Sequence, residues 1–116
     1  MQVEQGGLAY TFVHPEELRR RFAQGEAFTV VDARSPDVYR ESGRTVVTAV
    51  RIPPEDLDRR RSEIPKGKTV VLVADDDAAE SMALAMVQDG YSDIYLIEGG
   101  FDAYVAAGGK TEPARL

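Results

Sequence analysis

The chain has 116 residues, 43% hydrophobic and 29% charged, with ten Gly and six Pro. This is the balance of a folded domain, and the length is too short for two independent cores. Fourteen basic against twenty acidic residues leave a formal charge of -6, a field that repels nucleic acid and anionic membrane surfaces. There is no cysteine, which excludes disulfides, a thiolate nucleophile and thiolate metal ligands.

No apolar run approaches the ~20 residues a membrane span needs, and the start of the chain has no basic region followed by an apolar stretch, so the expectation is a cytoplasmic domain. Residues 1–7, polar and carrying Gly6 and Gly7, read as a loose lead-in, and residues 109–116, with Pro113, as a tail. This leaves one domain over 1–116 with its core at about 8–108. Val13-His14-Pro15-Glu16-Glu17-Leu18 predicts a helix start: His14 at the cap, Pro15 at the first helical position, Glu17 reaching back to the cap N–H, and Val13 stapled onto Leu18. Gly25 stops that helix, which runs over about 15–24. The only histidine is thereby assigned a structural task.

Phe28 to Val31 is a short β-branched run that suits a strand buried on both faces, and Val46 to Ile52, Val70 to Val73 and Ile94 to Ile97 read the same way. Helical stretches separate them at about 36–41, about 54–62, Ala78 to Asp89 before Gly90, and Phe101 to Ala107 before Gly108. Arg59, Arg60 and Arg61 sit among Glu55, Asp56, Asp58 and Glu63, the mixed-sign pattern of a solvated helix face. Strands alternating with helices predict an α/β fold around a mainly parallel sheet flanked by helices. Ligand sites in such sheets lie beyond the carboxyl ends of the strands. Two loops qualify: Asp32-Ala33-Arg34, and Ala74-Asp75-Asp76-Asp77-Ala78-Ala79.

Asp32 and Arg34 are expected to tie neighbouring loops together by charged hydrogen bonds, with anion binding by Arg34 as the alternative. At least one of Asp75, Asp76 and Asp77 is expected to cap the following helix. A Mg²⁺ or Ca²⁺ site would need further ligands that the spacing does not supply. Glu98-Gly99-Gly100 reads as a turn whose glycines allow positive φ or close backbone approach. Tyr39, Tyr95 and Tyr104 read as core or rim aromatics.

Four landmarks, in order, resemble the rhodanese family over roughly residues 10 to 108. Val30 to Tyr39 is similar to its strand, Asp-x-Arg turn and short helix; Gly43 to Pro53 to its second signature, with Arg44 where the family has His. Thr69 to Val73 resembles the strand that delivers the active-site loop, and Tyr95 to Tyr104 the strand, Glu-Gly-Gly turn and closing helix. The resemblance implies a sulfur-carrying cysteine after the Thr69–Val73 strand, with loop N–H groups converging on the sulfur. Here Ala74 stands at that position, or Val73 in a register shifted by one. Sulfur transfer needs a thiolate that attacks a sulfane sulfur and carries it as a persulfide, and alanine supplies no nucleophile.

The expectation is therefore a catalytically inactive rhodanese-like module. It would bind an unidentified protein or small ligand through Ala74, Asp75, Asp76, Asp77, Ala78, Ala79 and Arg34, or serve structurally, with no cofactor, metal, nucleic-acid or membrane partner. Asp32, Arg34, Glu98, Gly99 and Gly100 would be structural. The alternatives are a metal-assisted enzyme using Asp75 to Asp77, or a sulfurtransferase by family only.

Overall fold

A computed structural model of the chain describes residues 10–115; the lead-in read over residues 1–7 lies outside them. Along the chain the elements are β1 (Tyr10–Val13), α1 (Pro15–Ala23), β2 (Thr29–Asp32), α2 (Pro36–Ser42), β3 (Arg44–Val46) and β4 (Val50–Arg51). There follow α3 (Leu57–Arg60), β5 (Val70–Val73), α4 (Ala79–Gln88), β6 (Ile94–Ile97), α5 (Gly100–Ala106) and β7 (Thr111–Pro113). Five strands form one parallel sheet in the order β1-β6-β5-β2-β4, and β3 pairs antiparallel with β7. This is the expected α/β architecture.

The central strand β5 is apolar and buried at every position because each of its faces meets a different core. Val70 and Leu72 of β5 join Leu57, Ile64, Ala83 and Met86 beneath α3 and α4. Val71 and Val73 point the other way, to Leu18, Val46, Phe101 and Tyr104 beneath α1, β3 and α5. Register then positions the site. Asp32 lies opposite Val73, and Val13 opposite Ile97, so three segments leave the same edge of the sheet side by side: the Asp32–Arg34 loop, the Ala74 loop and the Glu98–Gly100 turn.

The start of α1 follows the sequence reading in part. His14 Nδ1 accepts from the Glu16 N–H at 3.3 Å, Pro15 opens the helix, and Val13 and Leu18 are buried in one cluster. Glu17 does not reach back to the cap; it pairs with Arg21 one turn on, at 3.7 Å.

Three other readings are corrected. The Val46 to Ile52 run is two strands, split by a Val47–Thr48 turn in which the Ala49 N–H donates to the Val46 carbonyl at 3.1 Å. The 54–62 helix is a 3₁₀ turn at Pro54–Asp56, one α turn, and a second 3₁₀ turn at Arg61–Glu63. The tail is not loose: Thr111–Pro113 pairs with β3, the Tyr104 hydroxyl donates to the Lys110 carbonyl at 2.9 Å, and the Arg115 N–H donates to the Tyr39 hydroxyl at 2.9 Å. Among the described residues, no helix is long and apolar enough to cross a membrane.

Candidate functional site

The frame of the site is the β2 loop. Asp32 is fully buried and Arg34 is 2% exposed. The carboxylate accepts from Arg34 Nε at 3.0 Å, from Arg34 Nη2 at 2.6 Å, from the Arg34 N–H at 3.2 Å and from Thr45 Oγ1 at 2.6 Å. A buried charge so fully bonded is satisfied, whereas either partner alone would be a large penalty. Arg34 Nη2 also donates to the Arg44 carbonyl at 2.8 Å, and the guanidinium carbon lies 4.0 Å from the Phe101 ring centroid. Arg51 continues the network, donating to the Arg34 carbonyl at 2.5 Å with its guanidinium 4.0 Å from the Tyr39 ring centroid. Burial pulls the Arg51 pKa below its ordinary value, against the opposing pull of Asp32. Arg34 is thus already engaged by an internal carboxylate and by the aromatic ring beneath it.

Ala74 is 8% exposed and sits beside Ala33, whose N–H donates to the Val73 carbonyl at 2.7 Å. Beyond it the loop folds back on itself. The Ala78 and Ala79 N–H groups, which an anion at the start of α4 would use, both donate to the Asp75 carbonyl at 2.9 Å. None of the three aspartate side chains caps α4: the cap position is Ala78, without a side-chain bond. The Asp75 carboxylate instead accepts from the Ser35 N–H at 3.2 Å, joining the two site loops. Asp76 faces the opposite turn, where a Cβ on Gly100 would lie 2.9 Å from its Oδ1, so the carboxylate rests against the bare glycine. Gly99 and Gly100 both hold positive φ, at 78° and 74°, and a Cβ on Gly99 would lie 2.8 Å from the Ala103 Cβ. The Glu98 N–H fastens the turn to the Val13 carbonyl at 3.0 Å, while its side chain is exposed.

Two clefts meet at Asp76. The inner one, about 180 Å³, is bounded by Phe12, Leu72, Ala74, Ala79, Leu96 and Ile97. The outer one, about 480 Å³, brings Arg34, Ala74, Asp75, Asp76, Gly99 and Gly100 together with Glu41 and Asp102. Neither Asp77 nor Ala78 lines either cleft, and Asp32 lies behind them in the core. No three His, Asp or Glu side chains among the described residues gather closely enough to hold a metal ion.

Sequence reasoning missed Glu41, Asp102 and Phe12. The first two are in the last turn of α2 and the first turn of α5, so they follow from placing those helices at the same sheet edge. Phe12 lies on β1, an edge strand too short and too half-exposed to show a clear period. The imidazole of His14 is used at its cap and lines neither cleft.

A family model described as the Rhodanese-like domain matches residues 14–107. A sulfurtransferase from Allochromatium vinosum is 30% identical over 97 residues, which cover 83% of this chain and 89% of that protein. The solution structure of the rhodanese-like domain of the Anabaena sp. Alr3790 protein is 29% identical with a TM-score of 0.71, covering 87% of this chain and 77% of that one. A rhodanese-related protein from Thermoplasma volcanium, 18% identical with a TM-score of 0.73 over 89% and 98% of the two chains, shares the fold. The Asp-Arg frame, the loop after β5 and the double-glycine turn are thus set on a shared scaffold, and the chain belongs to the rhodanese-like domain family while containing no cysteine.

Proposed function

We propose that this chain is a non-catalytic rhodanese-like module that uses the cleft between the Ala74 loop and the Gly99–Gly100 turn for binding. The occupant is a neutral or cationic group of a partner protein or small ligand. The observation that carries this reading is the make-up of the cleft. Its only cation, Arg34, is engaged by Asp32, while Glu41, Asp75, Asp76 and Asp102 line its walls. Such a field disfavours thiosulfate and other anions, and two of the loop amides that could offset it, those of Ala78 and Ala79, are turned to the Asp75 carbonyl. The name of the Allochromatium vinosum relative favours a sulfurtransferase, but that chemistry needs a thiolate and the sequence has none.

The test is transfer of sulfur from thiosulfate to cyanide. The expected result is no thiocyanate above a protein-free control; turnover proportional to the amount of purified protein would overturn the proposal.

A further inference from the structure

A second cavity, about 570 Å³, opens where Phe28 leads into β2, and it shares no lining residue with the clefts beside Ala74. Its wall is aromatic: Phe22 and Phe28 meet edge to face with centroids 5.1 Å apart, and Phe22 and Tyr104 do so at 6.3 Å. Tyr104 lies fully buried behind them with its hydroxyl bonded to the Lys110 carbonyl, so the partly exposed rings of Phe22 and Phe28 form the accessible apolar surface. The volume lies within the ~300–1,000 Å³ range of small-molecule sites.

The charges on the rim are unequal. Both oxygens of Glu26 are held by Arg21, at 2.9 and 2.5 Å. Arg19 and Lys110 take part in no ion pair among the described residues. A Cβ on Gly108 would lie 3.6 Å from Arg19 Cδ, so the arginine stem crosses the chain two residues before Lys110 and the two cations share one rim. A positive rim on a chain of net charge -6 runs against the surrounding field.

Thr48, on the facing wall, is the one non-glycine residue with positive φ among the described residues, at 67°. Its place in the turn favours glycine, and a β-branched residue reaches it only under strain. The chain nevertheless keeps a hydroxyl there, at the edge of the cavity.

We propose that this cavity binds a small amphipathic anion. Its flat or branched apolar body lies on Phe22 and Phe28, its carboxylate between Arg19 and Lys110, and Thr48 supplies a hydroxyl on the opposite wall. The probe is 2-naphthoate, titrated into the intact chain and followed by amide chemical shifts and calorimetry. Neutral 2-naphthamide and cationic 2-naphthylmethylammonium serve as charge controls.

Saturable shifts at Phe22, Phe28, Thr48 and Lys110 are expected, with naphthoate at least about tenfold tighter than the amide and the ammonium weaker still. Arg19→Glu, at a half-buried position, with Lys110→Glu, at an exposed one, should reduce naphthoate affinity at least about tenfold while the variant still melts in one cooperative transition. Thr48→Gly should weaken binding while raising the melting temperature. Equal affinity for amide and acid, full affinity after charge reversal, shifts centred on Ala74 to Asp77, or shifts that never saturate would each overturn the proposal.

Discussion

Asp32 sits at the centre of the buried polar frame, and its removal strands a charge. Asp32→Asn leaves the guanidinium of Arg34 desolvated beside a neutral amide, and the expected loss is about 3–5 kcal/mol in chemical denaturation. Pairing Asp32→Leu with Arg34→Met removes both charges and should recover most of it; a double variant as unstable as the single one would count against a coupled pair. Thr48 presents the opposite case, strain without a buried charge. Thr48→Gly relieves a left-handed β-branched residue at the cost of a more flexible unfolded chain, for a net gain of about 0.5–1 kcal/mol in thermal or urea unfolding. Tyr104 and Tyr91 link the fold to alkaline pH, because burial raises both phenol pKa values above their ordinary 10.0. In the folded state these groups keep protons that the unfolded chain releases. Their contribution is therefore complete below about pH 10 and is lost as the pH rises further. Urea midpoints measured from about pH 9 to about pH 11.5 should fall across that window, and less steeply in Tyr104→Phe.

At the scale of the element, the β3–β7 pair joins the end of the described chain to the site. β3 carries Thr45, which donates to Asp32, and Arg44, whose carbonyl accepts from Arg34. β7 holds that strand through the ladder and through Arg44 Nε to Thr111 Oγ1 at 3.1 Å. Deleting residues 110–116 removes these bonds and leaves the Tyr104 hydroxyl without its partner. At roughly 1 kcal/mol per net bond and more for the orphaned hydroxyl, stability should fall by about 3 kcal/mol or more. A truncated chain melting within a degree of the full one would show instead that this strand only decorates the surface.

For the whole molecule, the question is whether one thiol would restore sulfur transfer. The Asp76 carboxylate stands against Gly100, where the inner and outer clefts meet beside Ala74. A like charge about 6 Å from a thiolate costs about 3 kcal/mol at an effective dielectric near 20, roughly two pKa units before solvent screening. Ala74→Cys alone should therefore show no turnover in the thiosulfate assay, with its thiol titrating above the usual range. Adding Asp76→Ala should lower that thiol pKa toward the ordinary value. Robust turnover by the single variant would mean that the acidic cleft does not govern the chemistry.

Read alone, the sequence determined the α/β class, the runs at 70–73 and 94–97 and the absence of a sulfur carrier, because burial on both faces demands continuous apolar stretches and a missing element admits no ambiguity. It also placed Asp32 and Arg34 two residues apart at the end of a strand, where one carboxylate and one guanidinium can meet. Only the tertiary structure decided what surrounds them. Whether Asp75 caps α4 or reaches Ser35 depends on which loop lies alongside, and this follows from the Asp32 to Val73 register rather than from local propensity. β1 and β7 were missed because a three- or four-residue strand with half its side chains in solvent has almost no period of its own; its stability comes from the partner it pairs with, and that partner is more than sixty residues away in the chain.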